Sequence, residues 1–334
     1  MEIERPYLIF LGDAKDALAA KTAFGVVDWR RDWCVGQLRL PGCKADVGLP
    51  DMKVAEAAAA GARTLLIGVV NPGGIFPPIW TKTLIDTLDA KLDIASGMHE
   101  ALASIDGLAA AAERNGRRLF DVRLSKQVFT TGSGRKRRGK RLLTVGTDCA
   151  VGKKYTALAL EKDMRSRGLD AEFRATGQTG ILIAGRGVAI DAVVADFIAG
   201  AAEWLTPDND PAHWDIVEGQ GSLYHPSFAG VSLGLLHGSQ PDAIVMCHEP
   251  TRTTLRNVDN PVPDISDCID LNLRLGRMTN PAIRCVGVAV NTAALSAADA
   301  ERVLLALAKK TGLPATDPVR YGVRRLVDHL LSLE

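Results

Sequence analysis

The segment from Gly146 to Lys153 has the residue types of a loop that binds phosphate groups. An apolar run at 142–145 precedes it and predicts a buried strand, and a stretch with helical periodicity follows it. Small residues let backbone N–H groups converge on phosphate oxygens, while a helix N-terminus and a lysine add positive charge. The residues predicted to hold a phosphorylated cofactor are Gly146, Thr147, Asp148, Cys149, Ala150, Val151, Gly152, Lys153, Lys154 and Tyr155.

This loop departs from the standard GxxxxGK[ST] pattern at two positions. Its first glycine is Gly146, one place early, and the residue after Lys153 is Lys154. A P-loop nucleotidase has Ser or Thr there, and its hydroxyl holds Mg²⁺. An ammonium group neutralises phosphate charge but binds no cation, and Thr156 would face another side of the helix. The sequence therefore favours an anchor for a polyphosphate over transfer of its γ-phosphoryl group, with no resident metal.

Three side chains are candidates for catalytic proton transfer. Glu218 ends a predicted strand beside a glycine turn, and His225 follows it. Histidine is the side chain most often used as a general base. These two residues are rivals for the role of general base, and Asp148 in the loop completes the set. Cys149 lies near the predicted helix N-terminus, which could lower the pKa of its thiol. A covalent intermediate on this cysteine is therefore a further alternative.

Polar residues follow two other predicted strands, at 171–173 and 243–247. The carboxyl edge of a parallel sheet is where open α/β folds bind ligands. Arg174 or Arg186 could hold a substrate carboxylate in a bidentate pair, and neighbouring Thr and Gln side chains could orient its polar groups. The predicted substrate-binding residues are Arg174, Thr176, Gln178, Thr179, Arg186, Asp191, His248 and Arg252.

The elements that must position these residues alternate between short apolar runs and Ala-rich helical stretches, which indicates βαβ units. In the first half, strands are predicted at 7–11, 64–70, 92–95 and 119–122, and helices at 52–60, 79–90 and 105–115. The pattern restarts after 129–141, a basic stretch that is either a linker or a source of arginines for a polyphosphate. We predict an α/β protein with a Rossmann-like parallel sheet (1–128), a basic linker (129–141) and a P-loop NTPase-like parallel sheet (142–334).

Composition excludes several classes of protein. The 334 residues include 40 Lys+Arg and 39 Asp+Glu, a net charge of +1 that argues against nucleic-acid binding. No apolar run reaches the roughly 18 residues of a membrane span, and the charged start lacks the features of a signal peptide. We therefore expect a cytoplasmic protein. Its six cysteines show no zinc-ligand spacing, and we expect them to be reduced thiols. The Ala-rich helices leave room for contacts in a homo-oligomer.

The displaced glycine of the loop resembles that of dethiobiotin synthetases and their P-loop relatives. The segment 214–223 is similar to the strand-ending Val-Glu-Gly-Ala-Gly-Gly element of the same enzymes. The segment 286–291 is similar to their late strand, which ends in an asparagine near the nucleotide base. The resemblance therefore implies that Asn291 contributes to cofactor binding.

The whole chain resembles the D-glutamate N-acetyltransferases of the DgcN type. The resemblance rests on the loop 146–154, the run 174–187 with its continuation 191–203, and the segment 218–226, and it covers nearly all of the sequence. It implies an acyltransferase with acetyl-CoA as co-substrate and a D-amino acid, D-glutamate in the first place, as acceptor. A phosphate loop without the magnesium hydroxyl is compatible with this, because it could hold the pyrophosphate of coenzyme A without hydrolysing it.

Two other functions remain compatible with these residues. An ATP-dependent ligase or kinase of the dethiobiotin-synthetase type would need Mg²⁺ and release ADP, which Lys154 disfavours. A non-catalytic nucleotide-binding protein would bind its ligand without turnover, and the polar segment 174–186 weighs against it. The leading prediction is an N-acetyltransferase that acts on a D-amino acid, D-glutamate in the first place.

Overall fold

The computed structural model describes residues 2–69, 75–124 and 127–333 and divides the chain into two compact units. The first unit comprises Met1–Gln127 and Gly177–Ala189, and the second comprises Val128–Thr176 and Ile190–Glu334. The chain therefore leaves the second unit after its second strand and returns to it thirteen residues later. In the described part of the chain, we find no helix with the length and apolar character needed to cross a membrane.

The first unit contains a five-stranded parallel sheet in the order β2-β1-β3-β4-β5. Its strands are β1 (Tyr7–Gly12), β2 (Cys34–Arg39), β3 (Thr64–Ile67), β4 (Asp93–Ser96) and β5 (Leu119–Asp121). Its helices are α1 (Lys21–Arg30), α2 (Val54–Ala59), α3 (Thr81–Asp89), α4 (Leu108–Asn115) and α6 (Gln178–Ala184). Every residue of β1, β3 and β4 is buried, as expected for parallel strands covered on both faces.

Most elements of this unit match the predicted strands and helices within a few residues. The strand predicted at 64–70 ends at Ile67, and its last predicted residue, Val70, lies outside the described residues. The prediction omitted β2 and α1. The buried face of α1 consists of small residues, Thr22, Ala23, Gly25, Val26 and Val27, which give little of the apolar periodicity by which a helix is recognised.

The second unit contains a six-stranded parallel sheet in the order β11-β10-β9-β6-β8-β7. Its strands are β6 (Lys140–Gly146), β7 (Ala171–Arg174), β8 (Trp214–Val217), β9 (Ala243–His248), β10 (Arg284–Val290) and β11 (Ala315–Thr316). Its helices are α5 (Lys153–Ser166), α7 (Ile198–Leu205), α8 (Ala229–Ser239), α9 (Ile265–Gly276), α10 (Ala297–Thr311) and α11 (Arg324–Ser332). Strand order reverses at β6, so the carboxyl end of β6 is the switch point at which α/β sheets bind ligands.

The basic stretch 129–141 belongs to the second unit, and its last two residues open β6. Arg141 is fully buried and donates to the carbonyl oxygen of Arg138 at 2.9 Å. Arg137 donates to the carbonyl oxygens of Thr206 and Gly238, each at 2.7 Å. Burial lowers the pKa of Arg137 to about 10. These two guanidinium groups thus bind the backbone of their own unit, and neither extends as a free cation of a linker.

Helix α7 packs closely against the segment before β6 at Gly200, so we expect a substitution there to be destabilising. A Cβ atom at Gly200 would overlap the carbonyl oxygen of Thr130. Alanine is about 1 kcal/mol better than glycine within a helix, yet overpacking costs about 1–3 kcal/mol or more. We expect Gly200→Ala to lower the free energy of unfolding by about 2 kcal/mol, measured by urea denaturation. Gly230→Ala in α8 is the control, because a Cβ there meets nothing within 4 Å. Equal stability of the two variants would contradict the packing described.

Candidate functional site

The predicted phosphate loop joins the carboxyl end of β6 to the N-terminus of the 14-residue helix α5. Two of its residues, Ala150 with φ of 55° and Gly152 with φ of 107°, adopt the left-handed conformation. Left-handed residues within such a turn direct successive N–H groups into one concavity, and the first-turn N–H groups of a helix have no intrahelical acceptor. The loop therefore has the backbone form of an anion-binding site.

The early glycine of the loop has a direct structural cause. A Cβ atom at Gly146 would lie 2.8 Å from Cγ2 of Val151 and 3.1 Å from Nζ of Lys153. Thr147 points elsewhere: its hydroxyl lies 3.0 Å from Nδ1 of His248, and its N–H donates to the carbonyl oxygen of Cys247. A side chain at position 146 would therefore crowd Val151 and Lys153, whereas the side chain at position 147 points away from both.

Lys153 is a buried cation at the centre of the site. Its side chain folds back so that Nζ donates to the carbonyl oxygens of Asp148 at 2.7 Å and Gly221 at 2.8 Å. Burial lowers its pKa, although nearby acidic groups, Glu218 among them, act in the opposite direction. The ammonium group therefore lies between the phosphate loop and the loop that follows β8, where it can neutralise an anion.

The residues after Lys153 offer no hydroxyl to a magnesium ion at the usual position. Nζ of Lys154 lies 4.6 Å from the ring centroid of Tyr155. The hydroxyl of Thr156 is buried and donates to the carbonyl oxygen of Gly152 at 3.0 Å. The start of α5 therefore presents a second ammonium group where a P-loop nucleotidase presents a metal ligand.

Asp148 is a fully buried carboxylate that links the phosphate loop to the loop that follows β9. It accepts hydrogen bonds from Nη1 of Arg252 at 2.5 Å, from the N–H of Arg256 at 2.8 Å and from the N–H of Cys149 at 2.6 Å. Partial burial acts to lower the pKa of Arg252, but its bonds to Asp148 and Glu249 raise it. Because three donors use both oxygens of Asp148, this carboxylate is suited to positioning.

His225 is buried, and both of its ring nitrogens have hydrogen-bond partners. The N–H of Ser227 lies 3.2 Å from Nδ1 of His225, and because an N–H can only donate, Nδ1 is the acceptor. Nε2 therefore carries the proton, which it donates to the carbonyl oxygen of Arg256 at 2.9 Å. A general base needs a free lone pair, which this arrangement does not give to His225. Ligand atoms of Asp148, Cys149 and His225 lie within 4.8 Å of one another, but metal binding at this trio would have to break the same bonds.

Cys149 does not have the low pKa expected from its place near a helix N-terminus. Burial raises the pKa of its thiol and outweighs the positive charge of Lys153 nearby. That expectation was wrong because desolvation of a thiolate exceeds the effect of a cation whose own hydrogen bonds go to backbone carbonyls. Burial therefore disfavours the thiolate that an acetyl-cysteine intermediate at Cys149 would need.

Glu218 follows β8 and is almost fully buried. One of its carboxylate oxygens accepts the N–H of Thr176 at 3.0 Å, and its carbonyl oxygen accepts the Thr176 hydroxyl at 2.5 Å. The side chain of Gln220 in turn donates to that hydroxyl at 3.1 Å. The pair of residues Thr176 and Glu218 is thus fixed at the adjacent ends of β7 and β8, next to Lys153.

Gly219 allows the loop after β8 to approach the phosphate loop. A Cβ atom at Gly219 would overlap the carbonyl oxygen of Thr144 and lie 3.1 Å from Cδ of Lys153. The N–H of Gly219 donates to the hydroxyl of Thr144 at 3.0 Å, and Ser222 donates to the carbonyl oxygen of Thr147 at 3.1 Å. Sequence reasoning did not select Thr144 or Ser222, because their partners are 75 residues away in the chain.

Arg174 and Asp191 are in the same unit as the phosphate loop. Nε of Arg174 lies 2.5 Å from a carboxylate oxygen of Asp215, and Nη2 lies 3.0 Å from one of Glu172. A guanidinium group already paired with two carboxylates is poorly suited to hold a third on a substrate. Asp191 is exposed in the first turn of the short 3-10 helix Ile190–Ala192.

Three other predicted substrate-binding residues belong to the first unit. Gln178 packs against Gly97 near the start of α6, and the hydroxyl of Thr179 lies 3.4 Å from that of Thr22. Arg186 is exposed and forms an isolated antiparallel bridge with Glu2. The predicted run is therefore divided between the two units at Gly177, a division that the order of residues does not reveal.

Asn291 and His248 lie at the ends of the neighbouring strands β10 and β9. The N–H of Asn291 donates to the carbonyl oxygen of His248 at 2.8 Å, and its side-chain oxygen accepts the N–H of Ala293 at 3.2 Å. Burial lowers the pKa of His248, which favours a neutral ring beside the hydroxyl of Thr147. Both residues thus lie at the same sheet edge as the phosphate loop.

The fold and the site define a two-unit α/β protein with a Rossmann-like unit and a P-loop unit whose lysine lacks the usual metal-binding neighbour. The chain belongs to the DUF1611 family. Residues 38–125 match "Domain of unknown function (DUF1611_N) Rossmann-like domain", and residues 128–327 match "Domain of unknown function (DUF1611_C) P-loop domain". The predicted fold class is confirmed.

Relatives with assigned activities match this chain over their full length. A D-glutamate N-acetyltransferase from Tritonibacter scottomollicae is 53% identical over 99% of this chain and 100% of its own. One from a Pseudoalteromonas species is 48% identical over the same shares. The crystal structure of a DUF1611 family protein from Anabaena variabilis covers 98% of this chain and 100% of its own, with 31% identity and a TM-score of 0.83. These relatives confirm the family suggested by the sequence.

Proposed function

We propose that this protein transfers the acetyl group of acetyl-CoA to the amino group of D-glutamate. The observation that carries the proposal is the full-length similarity to two D-glutamate N-acetyltransferases. It supports the class of enzyme, an amino-acid N-acetyltransferase, and the acceptor. The donor is supported separately, by the chemistry of the phosphate loop.

The phosphate loop fits the pyrophosphate of coenzyme A. The concavity at the start of α5 provides N–H donors, and Lys153 provides a charge that its backbone partners hold in place. The second ammonium group, on Lys154, adds positive charge at the position where a nucleotidase has its metal ligand. A loop of this kind would hold a polyphosphate as an anchor and leave its phosphoanhydride bond intact.

Acetyl transfer requires a proton acceptor, and Glu218 is the carboxylate that best fits the role. The amino group of D-glutamate arrives as an ammonium ion and must give up a proton, which Glu218 accepts, before its nitrogen can attack. The new C–N bond forms as the C–S bond of the thioester breaks. The nitrogen loses a second proton and the leaving thiolate takes up one, so the reaction releases one proton overall.

The roles in acceptor binding stay predictions. Among the predicted residues, Arg252 lies at the phosphate loop with 20% of its side chain exposed. Like Arg174, however, it is already paired with two carboxylates, those of Asp148 and Glu249. The proposal includes a cytoplasmic location, for which the six unpaired cysteines offer support. A homo-oligomeric assembly is a further prediction.

The proposal predicts release of coenzyme A thiol that depends on D-glutamate and requires no metal ion. Purified protein is mixed with acetyl-CoA and D-glutamate, and free thiol is measured with a chromogenic disulfide, with L-glutamate as the control acceptor. Because Lys154 replaces the metal ligand, we expect EDTA to change the rate by less than about twofold.

The alternative functions give different results in the same assay. A ligase or kinase of the dethiobiotin-synthetase type would release ADP from ATP in the presence of Mg²⁺ and produce no thiol. A nucleotide-binding protein would be stabilised against heat by its ligand with no turnover of any amino acid. Either result would overturn the proposed acetyl transfer.

A further inference from the structure

Arg256 lies at the tip of a closed loop that follows β9. Two backbone hydrogen bonds close the loop. At its base, the N–H of Val262 donates to the carbonyl oxygen of Thr253 at 3.0 Å, and nearer the tip, the N–H of Leu255 donates to the carbonyl oxygen of Asn260 at 2.8 Å. Leu255 is buried. Asn257 has a φ of 63°, a conformation that asparagine tolerates in tight turns. The tip is therefore a defined turn.

Two buried polar side chains hold the backbone of Arg256 against the phosphate loop. Its N–H donates to Asp148 at 2.8 Å, and its carbonyl oxygen accepts Nε2 of His225 at 2.9 Å. Asp148 and His225 are 0% and 1% exposed. Burying a carboxylate and an imidazole costs free energy. Because both groups are used to hold the backbone of Arg256, the structure fixes where this exposed residue lies relative to the phosphate loop.

The side chain of Arg256 differs from that of Arg252 in the same loop. Arg252 gives its guanidinium group to Asp148, Glu249 and the carbonyl oxygen of Cys149. The guanidinium group of Arg256 is exposed and forms no hydrogen bond or ion pair with any residue that the structure describes. Its charge nevertheless acts on Cys149 of the phosphate loop, lowering the thiol pKa against the larger effect of burial. Arg256 is thus an unpaired cation held beside the anion site.

We propose that Arg256 binds the 3′-phosphate of coenzyme A and makes the enzyme selective for 3′-phosphorylated thioesters. This inference rests on the proposed use of acetyl-CoA. Coenzyme A carries two separate phosphate sites, a pyrophosphate and a dianion on the ribose. The phosphate loop with buried Lys153 suits the first, and a solvent-facing guanidinium group outside the loop suits the second, because arginine pairs bidentately with phosphate.

The test compares acetyl-CoA with acetyl-3′-dephospho-CoA as donors. We expect the wild-type protein to have a kcat/KM about 30-fold higher for acetyl-CoA, the size of effect typical of a hydrogen-bonded charge pair. Arg256→Ala should reduce this preference to within about threefold by lowering kcat/KM for acetyl-CoA alone. Arg256→Lys should give an intermediate preference, since lysine keeps the charge and loses the paired donors.

Arg277→Ala is the matched control. Arg277 is an exposed arginine just beyond the C-terminal end of the 12-residue helix α9. Its replacement by alanine should leave the preference for acetyl-CoA unchanged. The anchors of Arg256 are backbone atoms, so its variants should keep the thermal unfolding midpoint of the wild type.

The possible outcomes separate this inference from the proposed function. Equal use of both donors by the wild type would overturn selectivity and leave acetyl transfer in place. An equal loss for both donors in Arg256→Ala would assign Arg256 to the pyrophosphate and overturn the 3′-phosphate assignment. No transfer from either donor by the wild type would overturn the proposed function as well.

Discussion

Replacing Lys153 with methionine is expected to lower kcat/KM for acetyl-CoA by up to about 100-fold. Methionine keeps much of the apolar stem and removes the ammonium group that donates within the loop. A hydrogen bond to a charged group contributes about 1.5–3 kcal/mol, and about 2.8 kcal/mol corresponds to a 100-fold change. The effect should appear mainly in KM, because the lysine is placed to bind the donor rather than to act on the acetyl group.

The same variant tests whether the loss is specific to donor binding. Coenzyme A should raise the thermal unfolding midpoint of the wild type and leave that of Lys153→Met nearly unchanged. Two carbonyl oxygens lose their donor in this variant, so its midpoint without ligand must be measured beside its activity. Lys162→Met, an exposed position on the same helix, is the control. Full activity in Lys153→Met would mean that the loop does not hold the donor.

The phosphate loop could be predicted from sequence because its chemistry is local. A strand, a glycine-rich turn, a lysine and a helix follow one another within 27 residues, from Lys140 to Ser166. The displacement of Gly146 could be observed in the sequence but not explained. The side chains of Val151 and Lys153 crowd that position, which only coordinates reveal.

The remainder of the site depends on contacts between distant segments. Arg252 and Asp148 are 104 residues apart, and Glu218 and Thr176 are 42 apart. Arg256 lies four residues after Arg252 at the carboxyl edge of the sheet, a position that could have drawn attention to it. The role of Asp148 and His225 in fixing its backbone could not be read from residue types, which suggest proton transfer for both.

The division of the chain was the least predictable feature. The run from Arg174 to Arg186 reads as one continuous polar segment after a strand. The structure assigns its two ends to different units, since Gly177–Ala189 packs with the first. Local pattern indicates where a strand ends but does not indicate which of two cores the next helix joins, because α6 is apolar enough for either.

Replacing Glu218 with glutamine is expected to lower kcat by about 100-fold or more while KM for acetyl-CoA changes by less than about threefold. Loss of a general base typically costs a factor of 10²–10⁴. Glutamine has nearly the same shape, and its carbonyl oxygen can still accept the N–H of Thr176. The variant therefore removes a proton acceptor and keeps the link between the ends of β7 and β8.

A buried carboxylate outside the site provides the control for this variant. Glu161 on α5 is 5% exposed, close to the 4% of Glu218, and it pairs with Arg165. Glu161→Gln should keep kcat within about twofold of the wild type. If Glu218→Gln instead keeps its kcat and loses affinity for D-glutamate, the carboxylate orients the acceptor and another group takes the proton. His225→Gln would then be decisive, because a base at His225 requires Nδ1 to exchange its bond with Ser227 for one with the substrate.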